Sequence, residues 1–440
     1  MTRVIKTNHI KHFISCIMIF VFVIMLLTPI SLILERKASN TKYVDYIKQE
    51  GNFDVLFLGT SRAMDAFLPN ELWLNYGITS YNFGNQGCNL PVEYWNLVEA
   101  LSYAKPEIVV VDAYSIDSNQ KVASIEYTHE ALDWFPFSTT KIKAVTDLFN
   151  NDGVDVNGVV CRERQLEYLW DFILYHNRWA EITESDFNFD GHPESGAISL
   201  FKVFDYTENG TDVEKPDNYE TVDLNSIGAE YLCKIIELCK NNDIDVIITY
   251  LPNATGDNEY NKAYTVRQLA DQYDVEYIDF LNDKENIVDY YTNLADASHL
   301  NYAGGCKITN YIGNILNSKF ALSDKRTEGK FGSNATHETI LSYYLLAKQY
   351  WVNDQNDLYT ILMLLQDDYY NFEIYVSDAK FLDDITLYNA INQLPEGNII
   401  IDCNLENNVD IMVKVTDSKK SFEQVKCYVW SESDNCWMIK

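Results

Sequence analysis

Ser61 stands in Gly59-Thr60-Ser61-Arg62, directly after the apolar run Asp54-Val-Leu-Phe-Leu58. A serine at a strand end, where a helix begins, lies near backbone amides that stabilise developing negative charge. Its hydroxyl becomes a nucleophile only if a base takes the proton. Asp296-Ala-Ser-His299 supplies that pairing. An Asp three residues before a His can accept the imidazole N–H, fix its tautomer and stabilise the imidazolium. A third cluster, Asn82-Phe-Gly84-Asn-Gln-Gly87, follows another short apolar run. Glycines there let a backbone N–H come close to a reacting oxygen. Each cluster alone has a plain structural reading. Gly-x-Ser is also a helix cap, Asp296 also a loop or capping residue beside a packed His299, and the glycine loop also a turn. Taken in order, the three supply a nucleophile, a base with its orienting carboxylate, and a loop able to bind a developing oxyanion.

These clusters need a scaffold, and the pattern around them supplies one. Short apolar runs recur at 54–58, 80–83, 107–111, 245–250 and 275–280. Runs of this kind suit strands buried on both faces of a parallel sheet. Between them, Pro91 to Ala104, Ser226 to Cys239, Asn261 to Tyr273 and Ala303 to Leu316 carry helical spacing. Strand–helix alternation predicts a doubly wound α/β fold, whose ligands bind beyond the carboxyl ends of the strands. The three clusters fall at those ends.

The stretch 117–223 interrupts the alternation and is rich in aromatic residues, His and Asp. It reads as an insertion that caps or lines the site, or as a packed helical excursion without substrate contact. Within it His176 and Arg178 are candidates for binding a sugar beside Trp179. Arg62 is a candidate contact for an anionic or hydroxyl-rich acceptor, or a surface Arg paired with Asp65. His129 and His192 have no partner pattern and read as structural or exposed. From Ser318 to Asn334 the composition turns polar, as in a linker. His337 to Gln366 then reads as helix, followed by strands near 371–376, 398–401, 410–415 and 425–430, a small α+β domain at 335–440.

Length and charge narrow the class. A chain of 440 residues is long for one domain, and 47% hydrophobic residues can bury a sizeable core. The net charge is −31. Beyond Lys37 acids outnumber bases about two to one, a surface that repels phosphate backbones and excludes nucleic acid as a partner. The nine cysteines show no CxxC pair and no zinc spacing, so no metal is expected. Cys403, Cys427 and Cys436 cluster late and leave room for one disulfide. Phe13 to Leu34 is almost wholly apolar, about 22 residues or ~33 Å of helix, enough to cross a bilayer. Arg3, Lys6 and Lys11 precede it, which keeps the N-terminus cytoplasmic. No A-x-A site follows, so residues 1–37 read as a cytoplasmic tail and signal-anchor rather than a cleaved signal peptide. The rest of the chain would then be extracytoplasmic.

The joint order of Gly-Thr-Ser, Asn-x-Gly-x-x-Gly and Asp-x-x-His resembles the SGNH/GDSL hydrolase superfamily over roughly Asp54 to Leu316. The resemblance implies a flavodoxin-like three-layer α/β/α sandwich at about 50–320, with the anchor before it and the small domain after it. It implies Ser61 as nucleophile, His299 and Asp296 as the other catalytic residues, and Gly87, with Gly84 second, as an oxyanion donor. The family's Gly-x-Asn-Asp block is altered here. The third strand leads into Val111-Asp112-Ala113-Tyr114-Ser115, and Tyr114 takes the Asn place. Its hydroxyl could donate, or the oxyanion site rests on backbone amides alone. This alteration, with the anchor, resembles the extracytoplasmic partners of membrane-bound O-acyltransferases, such as the alginate acetylation proteins and DltD. The implied chemistry is a Ser61 acyl-enzyme acting on an acylated surface polysaccharide or sugar, without metal or organic cofactor. A membrane-bound O-acyltransferase is the implied protein partner. The competing expectation is an SGNH scaffold without catalysis, serving as a binding or assembly subunit of a glycan modification or export complex.

Overall fold

The computed structural model describes residues 2–35, 37–48, 52–150, 155, 157–189, 194–204, 216–254, 258–282, 285–328, 330–331, 335–395, 398–402, 405, 409–417 and 422–440. His192 and Cys403 lie outside them. The chain forms two compact units, one from Met1–Asp45 with Val122–His192, the other from Tyr46–Lys121 with Pro193–Lys440.

The second unit is built on a five-stranded parallel sheet: β1 (Val55–Leu58), β2 (Ser80–Asn82), β3 (Ile108–Asp112), β4 (Asp245–Tyr250) and β5 (Glu276–Asp279), in the order β2-β1-β3-β4-β5. Register is set by Val55 opposite Ser80 and Ile108, and by Ile108 opposite Asp245. Every residue of β1 and β3 is buried. Both faces are therefore covered, which is why these strands read as continuous apolar runs rather than alternating ones. One face packs Val55, Phe57, Val110 and Ile247 against Ala63, Phe67, Leu72, Ile308 and Ile312.

Local caps fix where the helices start. Helix α3 (Ser61–Ala66) follows β1, with Thr60 as its cap. The helices Pro69–Tyr76 (α4) and Leu90–Ala100 (α5) each start with a proline in the first turn, where its missing N–H costs nothing. Ser226 caps the helix Ile227–Asn241, and Asn301 caps the helix Tyr302–Ser318.

The C-terminal segment of this unit has a second sheet. Its strands are Tyr370–Val376, Asn398–Ile401, Ile411–Asp417, Glu423–Ser431 and Cys436–Ile439. The first and third alternate buried residues with half-buried or exposed ones, the pattern of a sheet with one buried face. Ile374, Val413 and Val415 pack with Ile361 and Leu365, and the same core takes in Leu68, Tyr302 and Ala303. The helix expected over 337–366 is two helices, His337–Asp354 and Leu358–Leu364. Asp357 restarts the chain by accepting the Thr360 N–H at 2.7 Å. The last strand was not foreseen: it is short and mostly exposed, so no periodicity marks it. Of the three late cysteines, Cys427 and Cys436 are unpaired, and Cys403 lies outside the described residues.

The first unit holds helix α1 (Thr2–Leu34), of which Lys11–Leu34 is long and apolar enough to cross a membrane. Short helices follow at Ile125–Leu132, Thr139–Phe149, Gln165–Leu169 and Phe172–Tyr175. His129 is buried here, its Nδ1 2.9 Å from Asp133 and its ring stacked 3.7 Å from that of Tyr168. Tyr175 donates to the same carboxylate at 2.6 Å.

Candidate active site

At the carboxyl end of β1 the chain must turn sharply into α3. Gly59 makes this possible: its φ is +148°, and a Cβ there would meet Ala63 Cβ at 2.7 Å and Asp112 Cβ at 3.0 Å. Thr60 then caps α3, its hydroxyl accepting the Arg62 N–H at 3.3 Å. Ser61 is thus the first helical residue. Asn82, at the end of β2, braces α3 from its far end. Its Nδ2 donates to the carbonyls of Ala63 at 2.8 Å and Phe67 at 2.7 Å. Asn85 N–H donates to Gly59 O at 3.0 Å, tying the second loop to the first.

His299 arrives from the other end of the unit. Residues 294–300 form a tight loop closed by Ala295 N–H to His299 O at 2.9 Å. Asn301 locks the loop to the helix Tyr302–Ser318. Its amide donates to Thr292 O at 2.8 Å while its oxygen accepts the Gly304 N–H at 3.1 Å. Gly305 lets this helix lie against α3, since a Cβ there would meet Asp65 O at 2.6 Å.

The two loops bring Ser61 Oγ to 2.7 Å from His299 Nε2. His299 Nδ1 lies 2.9 Å from both Asp296 oxygens. The carboxylate also accepts the Ser298 N–H at 2.8 Å and the His299 N–H at 3.0 Å. A carboxylate beside Nδ1 fixes the proton there, leaving Nε2 to accept the Ser61 proton. Burial pushes the Asp296 carboxyl up, but the Ser298 amide and the ring and amide of His299 outweigh it and hold it below its ordinary value. Asp296 therefore stays ionised, and Ser61, His299 and Asp296 are joined in one hydrogen-bonded chain from two distant segments.

The other candidates separate. Gly87 lies exposed in the turn after β2, with φ +54°. Gly84 is not placed as a free donor, because its N–H goes to Asn82 Oδ1 at 2.8 Å. Tyr114 follows β3 and is half-buried, its ring 4.4 Å from the Arg62 guanidinium and 4.6 Å from Lys262 Nζ. Arg62 is not a surface residue. It is 4% exposed, donates to Leu251 O and lies 3.8 Å from Glu259. Glu259 also accepts from Tyr250 at 2.6 Å, Asn253 at 2.7 Å and Lys262 at 3.1 Å. Burial pushes the nearby Asp112 carboxyl up, with Arg62 opposing. The network holds two cations, Arg62 and Lys262, against the Tyr114 ring. His176 and Arg178 belong to the first unit and are engaged there. His176 Nδ1 lies 2.8 Å from Ile173 O, and Arg178 binds Leu34 O and, at 2.9 Å, Asp186.

Asn82, Asn301 and Glu259 went unrecognised as positioning residues. Asn301 carried a readable signal, an Asn directly before a helical run. Glu259 carried none: Tyr250, Asn253 and Lys262 lie near it in sequence but in no pattern that marks a shared acceptor, and Arg62 comes from a distant segment.

One further group of ligating atoms lies partly buried in the second unit. Glu71, Cys306 and Asp367 bring one ligand atom each within 4.8 Å of one another. The cation between the carboxylates is Lys348, 2.8 Å from Glu71 and 2.5 Å from Asp367. Burial, then the two carboxylates, push the Cys306 thiol well up, so it is held protonated.

No family profile matches the chain, and no curated protein matches it. Among solved structures, a Bacteroides fragilis protein provisionally assigned as an acylhydrolase matches at 14% identity, over 65% of this chain and 99% of that one, with a TM-score of 0.28. An active-site mutant of a family two carbohydrate esterase from Clostridium thermocellum matches at 10% identity, over 61% of this chain and 64% of that one, with a TM-score of 0.27. The chain thus spans just under two thirds of that esterase. The functional reading rests on the site geometry.

Proposed function

We propose that this protein is a membrane-anchored serine esterase or O-acyltransferase of the SGNH type, acting on acyl esters, acetyl foremost, of a cell-envelope polysaccharide. The observation that carries the reading is the hydrogen-bonded chain Ser61–His299–Asp296, with Ser61 Oγ 2.7 Å from His299 Nε2. A general base within about 2.6–3.2 Å of the proton it takes is the geometry such catalysis needs. That chain also argues against a scaffold without catalysis.

The steps follow from the atoms. Ser61 Oγ attacks the acyl carbonyl carbon as its proton passes to Nε2 of His299. The tetrahedral intermediate collapses, the C–O bond to the donor breaks, and the donor oxygen takes the proton from His299. An acyl-Ser61 ester remains. Water or a sugar hydroxyl then attacks that ester, gives its proton to His299, and regenerates Ser61. Asp296 holds the ring and stabilises its charged form in both halves. Gly87 N–H and the Tyr114 hydroxyl are the proposed oxyanion donors. The apolar helix Lys11–Leu34 would anchor the chain, and Arg3, Lys6 and Lys11 before it favour an extracytoplasmic catalytic unit. A membrane-bound O-acyltransferase would deliver the acyl group, and the acceptor would be the polysaccharide.

The test is turnover of p-nitrophenyl acetate and of an acetylated oligosaccharide by the full-length protein. The wild type should release acetate, or pass it to an added glycan, and Ser61→Ala should do neither. Equal turnover by both would refute the assignment.

A further inference from the structure

We propose that the first unit carries a membrane-docking surface, formed by Trp179, Ile182, Phe187 and Phe189, that rests on the phospholipid headgroup–acyl boundary where α1 leaves the bilayer. The inference rests on the membrane-anchored reading above.

The side chains of α1 from Phe13 to Ile30 are exposed or half-buried, whereas Ser31, Leu34 and Glu35 are buried. The exposed stretch is about the length that matches a bilayer's hydrocarbon core at 1.5 Å per residue. Burial thus begins where such a helix would emerge. The groups that bury this end come from 172–187. Helix Phe172–Tyr175 and the turns His176–Ala180 and Glu184–Phe187 pack on α1. Arg178 donates to the Leu34 carbonyl, one of those a helix leaves unpaired at its C-terminus. Asp186 in turn holds Arg178 at 2.9 Å.

Two large aromatic residues flank this clamp. Trp179 follows Arg178 and is 72% exposed, and Phe187 follows Asp186 and is 57% exposed. Ile182 and Phe189 are exposed in the same short stretch. Single exposed apolar residues are ordinary on a protein surface. Here four fall within residues 179–189, each aromatic of the clamp one residue from a group that binds the helix end or its partner. Consecutive Cα atoms are about 3.8 Å apart, so Trp179 and Phe187 are held close to the depth at which α1 exits. Trp is enriched at that depth because its ring is apolar while its N–H keeps a polar partner. The carbonyl clamp then acts as a rigid collar that fixes the first unit against the bilayer instead of leaving it on a free tether.

The test uses the full-length protein in phosphatidylcholine vesicles, with or without lipids brominated at a shallow acyl position. Bromine quenches tryptophan fluorescence on contact, and α1 contains no Trp, so the spanning helix is silent. The wild type should float with the vesicles and be quenched by the brominated lipid. Trp179→Phe, a change an exposed ring tolerates, should float equally and lose most of that quenching. Flotation with no quenching, or with quenching equal in the two proteins, overturns the docking surface while leaving the anchor standing. The first of these would assign the patch to a protein partner instead. Failure of the wild type to float overturns the anchor and the docking surface together.

Discussion

Replacing Lys348 by Met should loosen the second unit around the helix that follows His299. Lys348 is 3% exposed and its ammonium bonds to Glu71 at 2.8 Å and Asp367 at 2.5 Å. Tyr302, the first residue of that helix, donates to the same two carboxylates at 2.9 and 2.6 Å. At 2.8 Å and an effective dielectric constant near 20, each charge pair attracts by about 6 kcal/mol. Desolvation opposes much of this, yet removing one partner of a buried pair costs ~3–5 kcal/mol, because the other charges stay buried and uncompensated. Burial lowers the Lys348 pKa, but Glu71 and Asp367 outweigh it and raise it. A cation with a raised folded pKa contributes fully below its unfolded value, about 10.4, and loses that contribution only above it. The deficit in the Met variant should therefore be constant from neutral pH to about pH 10. Hydrogen exchange of the full-length protein reads the loss locally. Amides of Tyr302–Ser318 and Leu358–Leu364 should exchange roughly 10²- to 10⁴-fold faster. Adding Glu71→Gln and Asp367→Asn to the Met variant should restore part of the protection. A single-variant effect below about tenfold, or ~1.4 kcal/mol, would refute the claim that these charges form a coupled buried network.

Asp296→Asn should leave the fold intact and lower the rate of Ser61 acylation by ~10⁴, as expected when the orienting carboxylate is lost and the wrong tautomer forms; stopped-flow acylation measures it. Because the Asp296 pKa is held down, its stabilising contribution is present above about pH 4 and lost as pH falls through the folded pKa. Acid unfolding of Asp296→Asn should be correspondingly less steep, as followed by circular dichroism. Gly59→Ala should cost about 1–3 kcal/mol from backbone strain and displace Ser61, so thermal stability and acylation should both fall; a stable, fully active variant would contradict the turn geometry. Tyr114→Phe should slow acylation by about 10²–10³ if its hydroxyl is an oxyanion donor, with substrate affinity little changed; an unchanged rate would leave that role to backbone amides.

The parts of this protein that were legible are those whose information is local. The runs ending at Leu58, Val111 and Tyr250 read as strands because a sheet covered on both faces needs no alternation. Asp296 and His299 read as a pair because three residues separate them, and the structure joins them as that spacing suggested. What could not be read depends on partners supplied by distant segments. The surface reading of Arg62, paired with Asp65, fails because Glu259 and the Leu251 carbonyl draw its guanidinium inward. Gly84, ranked second to Gly87, is a local exception: its N–H is taken by the Asn82 side chain two residues away. The Arg178 contact with the end of α1 was not legible, because 144 residues separate it from Leu34. The break between the helices 337–354 and 358–364 was readable in principle, since Asp357 is a good cap. It was hidden by apolar spacing that continues across it.

The most direct test of the account is covalent labelling of the full-length protein with a fluorophosphonate probe, with the modified peptide mapped by mass spectrometry. The account predicts one modified serine, Ser61, in the wild type, and no labelling in Ser61→Ala or His299→Ala. A folded wild-type protein that takes no label, or takes it at another serine, would contradict the assignment of Ser61 as a nucleophile activated by His299.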